Sequence, residues 1–226
     1  FQLGDSSKEI IYDFIIYKNK YFIFSKNIYI TDSIGRIIKK LTLPSGEQFF
    51  RGCKGKNGYY HIITNNFFYT LNLSNYNIET EYKLPDELKN LVGYITFSQN
   101  SIDRFWLSFL NKGLYQLKKD NKNNKYFFQK EYINPLIDNS LINNIICDKN
   151  KLWFAINRLG LWYYDIDTKF ATNVYLKEQE QNSIFLYNSY LLSSNQTLYL
   201  GSNGGFFKVT PNKNIDNKKS NLLFTN

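Results

Sequence analysis

Residues 151–165 read KLWFAINRLGLWYYD, which is an aromatic strand, a short turn ending in glycine, and a second aromatic strand closed by aspartate. The same plan occurs at four other places: KYFIFSKNIYITD at 20–32, GYYHIITNNFFYTLN at 58–72, RFWLSFLNKGLYQLK at 104–118 and TLYLGSNGGFFKVT at 197–210. The first strand of each copy carries an aromatic anchor, and these anchors are Phe22, Tyr60, Trp106, Trp153 and Tyr199. Their spacing of roughly 40 to 50 residues marks an internal repeat.

Each copy is flanked by further strand candidates. Apolar stretches precede the anchors at 12–17, 49–54, 94–98, 143–148 and 188–193, and others follow at 35–44, 77–85, 126–135 and 171–178. Four short strands separated by Asn, Asp, Gly or Ser turns make up one blade of a β-propeller. The sequence therefore predicts one all-β domain over 1–226, a β-propeller of four-stranded antiparallel blades. About five blades are visible, at approximately 10–46, 47–90, 91–138, 139–182 and 183–226.

A β-solenoid and a long β-sandwich also contain short strands at regular spacing. The period disfavours both, because solenoid coils are usually shorter and a sandwich needs no repeated aromatic anchor. The polar and glycine residues at 111–113 and 202–205 tolerate the positive φ of a tight turn between two blade strands.

Composition narrows the class of protein. Aromatic residues make up 18% of the 226 residues, which favours strands. The formal charge of +9 comes from scattered lysines, and the densest runs, at 118–125 and 213–219, alternate with Asn and Asp as exposed turns do. No recognised nucleic-acid motif accompanies them, so we expect no nucleic-acid partner.

The cysteines and the hydropathy bear on redox state and membrane attachment. Cys53 and Cys147 lie in apolar strand-like runs and are expected to be buried free thiols rather than a disulfide. No run approaches the ~18 apolar residues of a membrane helix, so membrane attachment is expected only through a segment outside this chain. No signal peptide opens the chain, and these residues alone do not indicate a compartment.

The best-formed repeats carry a family resemblance. LINNIICDKNKLWFAINRLGLWYYD at 141–165 resembles the two-component regulator propeller repeat, and LYNSYLLSSNQTLYLGSNGGFFKV at 186–209 looks like a second copy. The third repeat keeps Phe105, Trp106, Gly113 and Leu114 of this pattern, whereas the first two have Phe22 or Tyr60 at the anchor and no glycine in the turn. The resemblance covers about half of the chain.

The resemblance implies a non-catalytic ligand-sensing domain. Such repeats form the periplasmic or other extracytoplasmic input region of hybrid histidine kinases, which detect saccharides or related nutrients, usually as homodimers. Family members usually contain more than five repeats, often in two propellers, which leaves open whether the chain is a whole sensor, a closed five-bladed ring or an excised part. Two alternatives stay open: a propeller that docks another protein, and a five-bladed glycoside hydrolase.

The candidate ligand site lies where the repeats differ. Counting back from the anchors places chemically mixed residues at the start of the innermost strand of each blade: Asp13, Arg51, Tyr94, Asn144 and Ser189, with Asn143 and Asn188 beside two of them. Mixed donors and acceptors suit a polyhydroxylated or carboxylated ligand, such as an oligosaccharide or another small molecule. The solvated rim of a central channel that binds no ligand would carry much the same residues. We call this set of positions the rim. Arg51 is the candidate for holding a carboxylate or sulfate. Because Trp106 and Trp153 recur at one blade position, we predict that they pack between sheets rather than bind sugar.

The sequence offers little support for a catalytic function. A glycosidase needs two carboxylates facing one bond, but Asp13 is the only acidic residue among the predicted rim residues. His61 is the only histidine and has no Cys or Glu at ligand spacing, which disfavours a histidine-based zinc site or a catalytic triad. No phosphate or dinucleotide fingerprint occurs, so we expect no cofactor and no metal.

Overall fold

The computed structural model describes residues 10–44, 47, 49, 51–91, 96–99, 104–109, 111–120, 125–174, 184–194 and 197–209. Within these residues the strands form five antiparallel sheets in a five-bladed β-propeller arrangement. The first four sheets have four strands each, and three strands of the fifth lie within the described residues. The predicted fold class is therefore confirmed.

The strands follow one another in chain order within each blade. Blade one consists of β1 (Asp13–Tyr17), β2 (Lys20–Phe24), β3 (Ile28–Thr31) and β4 (Ile37–Leu41). Blade two consists of β5 (Arg51–Lys54), β6 (Tyr59–Ile63), β7 (Phe67–Asn72) and β8 (Asn77–Lys83). Blade three consists of β9 (Thr96–Gln99), β10 (Phe105–Phe109), β11 (Gly113–Asp120) and β12 (Lys125–Glu131). Blade four consists of β13 (Ile142–Asp148), β14 (Lys151–Ile156), β15 (Gly160–Asp165) and β16 (Phe170–Val174), and blade five of β17 (Phe185–Leu192), β18 (Leu198–Ser202) and β19 (Gly205–Val209).

The chain divides into two compact units, Phe1–Gly93 and Tyr94–Asn226. In the first unit, one apolar core fills the space between blades one and two. Blade one contributes Phe22 and Phe24 from β2, and blade two contributes Tyr60 from β6, all three without exposed surface. This is the sheet-on-sheet packing that the repeated aromatic strands predict.

The second unit contains two such cores. Trp106 is fully buried in a core shared by blades three and four, and Trp153 is 3% exposed in a core shared by blades four and five. Both tryptophans therefore pack between sheets, as predicted. Trp162 is half-buried at the edge of the first of these cores, and its Nε1 donates to the Leu159 carbonyl.

The anchor of blade two is wrong by one residue in the sequence-based alignment. Phe22 faces blade two, but Tyr60 faces back toward blade one, so the two residues lie on opposite faces of their sheets. The hairpin register identifies the true counterpart of Phe22. Phe22 lies two residues before Phe24, the last residue of β2, and His61 lies two residues before Ile63, the last residue of β6. The anchor of blade two is therefore the single histidine of the chain.

The turns and two short helices complete the architecture. Asn111 and Gly113 have positive φ values of 55° and 74°, as the tight turn between β10 and β11 requires. A single-turn helix, α1 (Pro135–Asp138), begins after Asn134, whose side chain accepts a hydrogen bond from the Ile137 N–H at 3.0 Å. A 3-10 turn spans Asp86–Leu88. The sequence analysis predicted neither helix.

The structure defines the state and the burial of the two cysteines. Cys53 and Cys147 are unbridged, as predicted, but both are half-buried rather than fully buried.

On blade five, Leu191 pairs with Tyr199 just as Ile146 pairs with Trp153 in blade four. Ile146 is 2% exposed, whereas Leu191 is 61% exposed.

Candidate functional site

The predicted ligand-site residues share one register. Each described candidate lies opposite or against one residue on the second strand of its blade. That residue is the one two places after the aromatic or histidine anchor. These pairs are Asp13 with Phe24, Arg51 with Ile63, Asn144 with Ala155 and Ser189 with Gly201. In blade three the same position is occupied by Thr96, which pairs with Ser108. Tyr94, which was predicted there, lies outside the described residues.

Asp13 accepts a hydrogen bond that crosses from blade two to blade one. We call such side-chain hydrogen bonds between neighbouring blades a polar joint. The Tyr60 hydroxyl donates to the Asp13 carboxylate across the blade boundary. The Tyr60 ring reaches this position by lying directly against Gly52, where a Cβ atom would stand 2.3 Å from the ring. The Asp13 side chain is therefore committed to its neighbour at one oxygen, and the other oxygen accepts from the Phe14 N–H at 2.7 Å.

Three asparagines form a second joint, between blades four and five. Asn143 and Asn144 are fully buried, and their Nδ2 groups donate to the Phe185 and Leu186 carbonyls at 3.0 and 2.9 Å. From the turn after β14, Asn157 accepts a hydrogen bond from the Phe185 N–H at 2.8 Å. These bonds satisfy backbone groups at the start of β17, where its register with β18 shifts between Phe185 and Tyr190.

The two rim asparagines retain unused acceptors. The Oδ1 atoms of Asn143 and Asn144 are both buried and have no hydrogen-bond partner among the described residues. Buried amide oxygens of this kind are normally paired with a donor, such as a water molecule or a hydroxyl group. The start of β13 therefore holds two unsatisfied acceptors, and in blade three the Trp106 Nε1 and the Ser108 Oγ are likewise buried without a partner among the described residues.

The other predicted residues differ in how far the structure defines them. Ser189 is half-buried, and its Oγ lies where a side chain at Gly201 would be. Asn188 lies within β17, but its side chain is outside the described part. Arg51 is half-buried at the first position of β5, with its Nε excluded from solvent.

A third polar joint, between blades three and four, was not predicted. The Tyr164 hydroxyl donates to the Glu131 Oε1 at 2.6 Å, and Lys169 forms an ion pair with the same oxygen. Burial, together with the hydrogen bond to Glu131, raises the pKa of Tyr164. Neither Glu131 nor Asn157 belongs to the predicted rim, because each lies in an outer strand or turn, where a polar residue normally signals only solvent exposure.

The anchor histidine lies in an apolar environment. His61 is 5% exposed, and its ring is parallel to Phe68 at a centroid distance of 5.8 Å. Its Nδ1 is 3.2 Å from the Thr70 hydroxyl. Burial lowers the pKa of His61 from 6.5 to about 3, so the imidazole is neutral in the folded protein at physiological pH.

This environment makes folding sensitive to mild acid. His61 is neutral when folded down to about pH 3 but binds a proton below about pH 6.5 when unfolded, so its stabilising contribution is complete above pH 6.5 and is lost as the pH falls. We expect the free energy of unfolding to drop by about 2 kcal/mol between pH 7.5 and pH 5 from this residue. Urea unfolding across this range measures the slope. The His61→Asn variant should lose this part of the slope, and equal slopes in the two proteins would contradict the assignment.

The described residues contain no group of three or more His, Cys, Asp or Glu side chains that could hold a metal ion. In the same part of the chain, no helix has the length and apolar character needed to cross a membrane.

Several solved structures share this fold. No family model and no curated protein sequence matches the chain. The extracellular domain of the putative one-component system BT4673 from B. thetaiotaomicron superposes with a TM-score of 0.66 at 15% identity, over 99% of this chain and 29% of that one. A second structure, described as the extracellular domain of the putative hybrid two-component system BT4673, gives 0.66 at 14% identity over 95% and 28%. This chain thus spans under a third of their length.

Propellers of other kinds are equally similar. A catalytically inactive histidine-to-alanine variant of virginiamycin B lyase from Staphylococcus aureus, solved with quinupristin, has a TM-score of 0.66 at 15% identity, over 89% of this chain and 67% of that one. The Cps50 (Swd1) β-propeller domain from Myceliophteria thermophila has a TM-score of 0.68 at 10% identity, over 96% and 72%. At these identities the likeness extends to the fold, so this chain is a β-propeller similar to extracellular sensor domains, a lyase and Swd1 alike.

Proposed function

We propose that this chain is a non-catalytic ligand-sensing propeller, part of the extracytoplasmic input region of a two-component signalling system. Its ligand is a saccharide or a related nutrient, bound at the start of the innermost blade strands. The observation that carries the proposal is a coincidence of two findings. The repeat at 141–165 resembles the two-component regulator repeat, and nearly the whole chain superposes on the extracellular domains of BT4673.

The chemistry of the rim supports a hydroxylated ligand. The Asn143 and Asn144 oxygens are two buried acceptors without a partner among the described residues, and a hydroxyl group is a donor that satisfies such an oxygen. In the other unit, Arg51 occupies the equivalent register with a guanidinium group, which binds carboxylates through paired N–H donors. An uncharged or an acidic saccharide could therefore be recognised with the residues present.

The environment of His61 supports a role without catalysis. The similar lyase is inactivated by replacing a histidine with alanine, according to the description of that structure. In this chain the only histidine is buried, is neutral and lies at a packing position. A general base needs to reach substrate, which His61 does not do while it occupies the anchor position.

The site is tested by screening a saccharide panel for thermal stabilisation of the wild type, Arg51→Ala and Arg158→Ala. Both variants lose one positive charge, but Arg158 lies in the exposed turn after β14 and not in the rim register. We expect an acidic saccharide to bind Arg51→Ala more weakly by about 1 to 3 kcal/mol, with the melting temperature of the free variant within a few degrees of the wild type. Arg158→Ala should bind like the wild type.

Three results would count against the proposal. If both arginine variants lose affinity equally, net charge and not the rim is responsible. If no saccharide stabilises the wild type, the protein-docking alternative is favoured over ligand sensing. The signalling part requires that the complete gene encode a membrane-spanning helix and a kinase or regulator beyond this chain, and a gene without them would contradict it.

A further inference from the structure

The same three residues form the turn between the first and second strands of two blades. Lys18, Asn19 and Lys20 connect β1 to β2, and Lys149, Asn150 and Lys151 connect β13 to β14. Lys18 and Lys149 have similar left-handed backbones, with φ values of 47° and 55°. The two turns can therefore be compared as an internal pair that differs in its surroundings.

In blade four the turn is flanked by acidic residues. Lys151 lies opposite Asp148 on β13 and opposite Asp165 on β15 in the strand ladders. A backbone hydrogen bond from Thr168, along with the charge of Lys151, lowers the pKa of Asp165. Asn150 donates to the Asp167 carboxylate at 2.7 Å, so this turn lies beside three acidic residues, Asp148, Asp165 and Asp167.

In blade one the turn is surrounded by tyrosines and further lysines. The Lys18 ammonium lies 5.3 Å from the centre of the Tyr17 ring. Lys20 donates to the Tyr76 hydroxyl, and the Lys20 and Lys39 ammonium groups lie 4.9 and 5.6 Å from the centre of the Tyr76 ring. Both rings are therefore approached by cations.

A fourth lysine completes the cluster. The Tyr17 hydroxyl hydrogen-bonds the Ser74 hydroxyl at 3.0 Å, and this bond, together with the charges of Lys18 and Lys54, lowers the pKa of Tyr17. We call Lys18, Lys20, Lys39 and Lys54 the basic patch. None of the ion pairs among the described residues includes a member of this patch.

The acidic residue that lies opposite Lys20 at the end of the β2–β3 ladder, Asp32, does not neutralise the basic patch. Asp32 follows β3, but its carboxylate accepts from the Arg36 Nε at 2.8 Å and from the Ile34 and Arg36 backbone N–H groups. Its charge is therefore already balanced by Arg36, whose side chain is 78% exposed. The patch keeps an excess of positive charge at one edge of blades one and two.

We propose that the basic patch binds a sulfated polysaccharide. Its ammonium groups are compact charges, which suit anionic groups spaced along a chain. The Tyr17 and Tyr76 rings are approached by lysines, so they do not offer free faces for the base stacking on which single-stranded nucleic-acid binding depends. The site is separate from the predicted rim, because Asp13 begins β1 and the patch lies where β1 ends.

The experiment compares two double variants with equal loss of charge. Lys18→Gln with Lys39→Gln removes two members of the patch, and Lys149→Gln with Lys151→Gln is the control. The match is close, because each pair contains one left-handed turn lysine and one lysine 5.6 Å from a tyrosine ring. Binding of a heparin fragment is measured by calorimetry at 0.15 M salt. We expect at least tenfold weaker binding for the patch variant and less than twofold for the control.

Each other outcome overturns the proposal. Equal weakening in the two double variants would mean that heparin responds only to the net charge of +9. The wild type failing to bind heparin at this salt would exclude the site. Oligothymidylate binding as tightly, with the same sensitivity to the variants, would assign the patch to nucleic acid instead. Lys18→Gln alone, at an exposed turn, should weaken binding at least threefold and serves as the test if the double variant is unstable.

Discussion

Replacing Trp153 with alanine is expected to lower the free energy of unfolding by about 3 to 5 kcal/mol. The side chain is 3% exposed and lies in the core between blades four and five, and its ring is edge-on to Tyr163 at 5.1 Å. Two sheets hold the surrounding side chains in place, so the site cannot collapse around the smaller residue and a cavity remains. Urea unfolding followed by tryptophan fluorescence and circular dichroism gives the difference directly.

Trp162→Ala is the matched control on the same blade. This tryptophan is half-buried and makes one hydrogen bond to a backbone carbonyl, so its loss should cost about 1 kcal/mol. If Trp153→Ala were as stable as the wild type but lost saccharide binding, Trp153 would belong to the ligand site, and the division between packing and binding residues would be inverted.

The fold was predictable because the same physical requirement recurs in every blade. A sheet packed on both faces needs large apolar residues at fixed positions, so the aromatic anchors repeat and reveal the period. The one misplaced anchor has a clear cause. Residues 60–63 read YHII and are buried on both faces, so no alternation between apolar and polar residues indicates which side chain faces which blade. Only the hairpin register identifies His61.

The ligand-site residues were predictable in position but not in role. Asn144 and Asp13 occupy the expected register, yet each is bonded to a neighbouring blade. The sequence pattern of a polar residue at the start of an inner strand is the same whether the side chain faces solvent or bonds a carbonyl of the neighbouring blade. The distinction depends on the irregular ladder of β17 and on the close approach of Tyr60, neither of which is encoded near the residue itself.

Polar joints recur at each blade boundary within the two units. The boundaries of blades one and two, three and four, and four and five are crossed by the side chains of Tyr60, Tyr164 and the asparagine pair. Apolar packing alone tolerates small slips between sheets, whereas a buried hydrogen bond is costly to break and therefore fixes the relative position of two blades. A ligand that donates to the Asn143 or Asn144 oxygens would act on the same joint.

Replacing Gly52 with alanine, which adds one methyl group, is expected to lower the free energy of unfolding by about 2 to 4 kcal/mol. The new Cβ would lie 2.3 Å from the Tyr60 ring, which is fully buried and stacked on Phe24 at 4.3 Å. The ring must move, and its hydroxyl then loses the Asp13 carboxylate. Backbone strain plays no part, since Gly52 does not have positive φ.

A double-mutant cycle isolates this contact. Tyr60→Phe should cost about 1 to 2 kcal/mol, because it removes the hydroxyl but keeps the ring, and Gly52→Ala should remain damaging in that background. In a Tyr60→Ala background the ring is absent, so adding Gly52→Ala should cost less than about 1 kcal/mol. Gly204→Ala is the control, since a Cβ there meets nothing within 4 Å. If Gly52→Ala were as harmless as Gly204→Ala, Tyr60 could not be held against β5, and the joint between blades one and two would have to depend on other contacts.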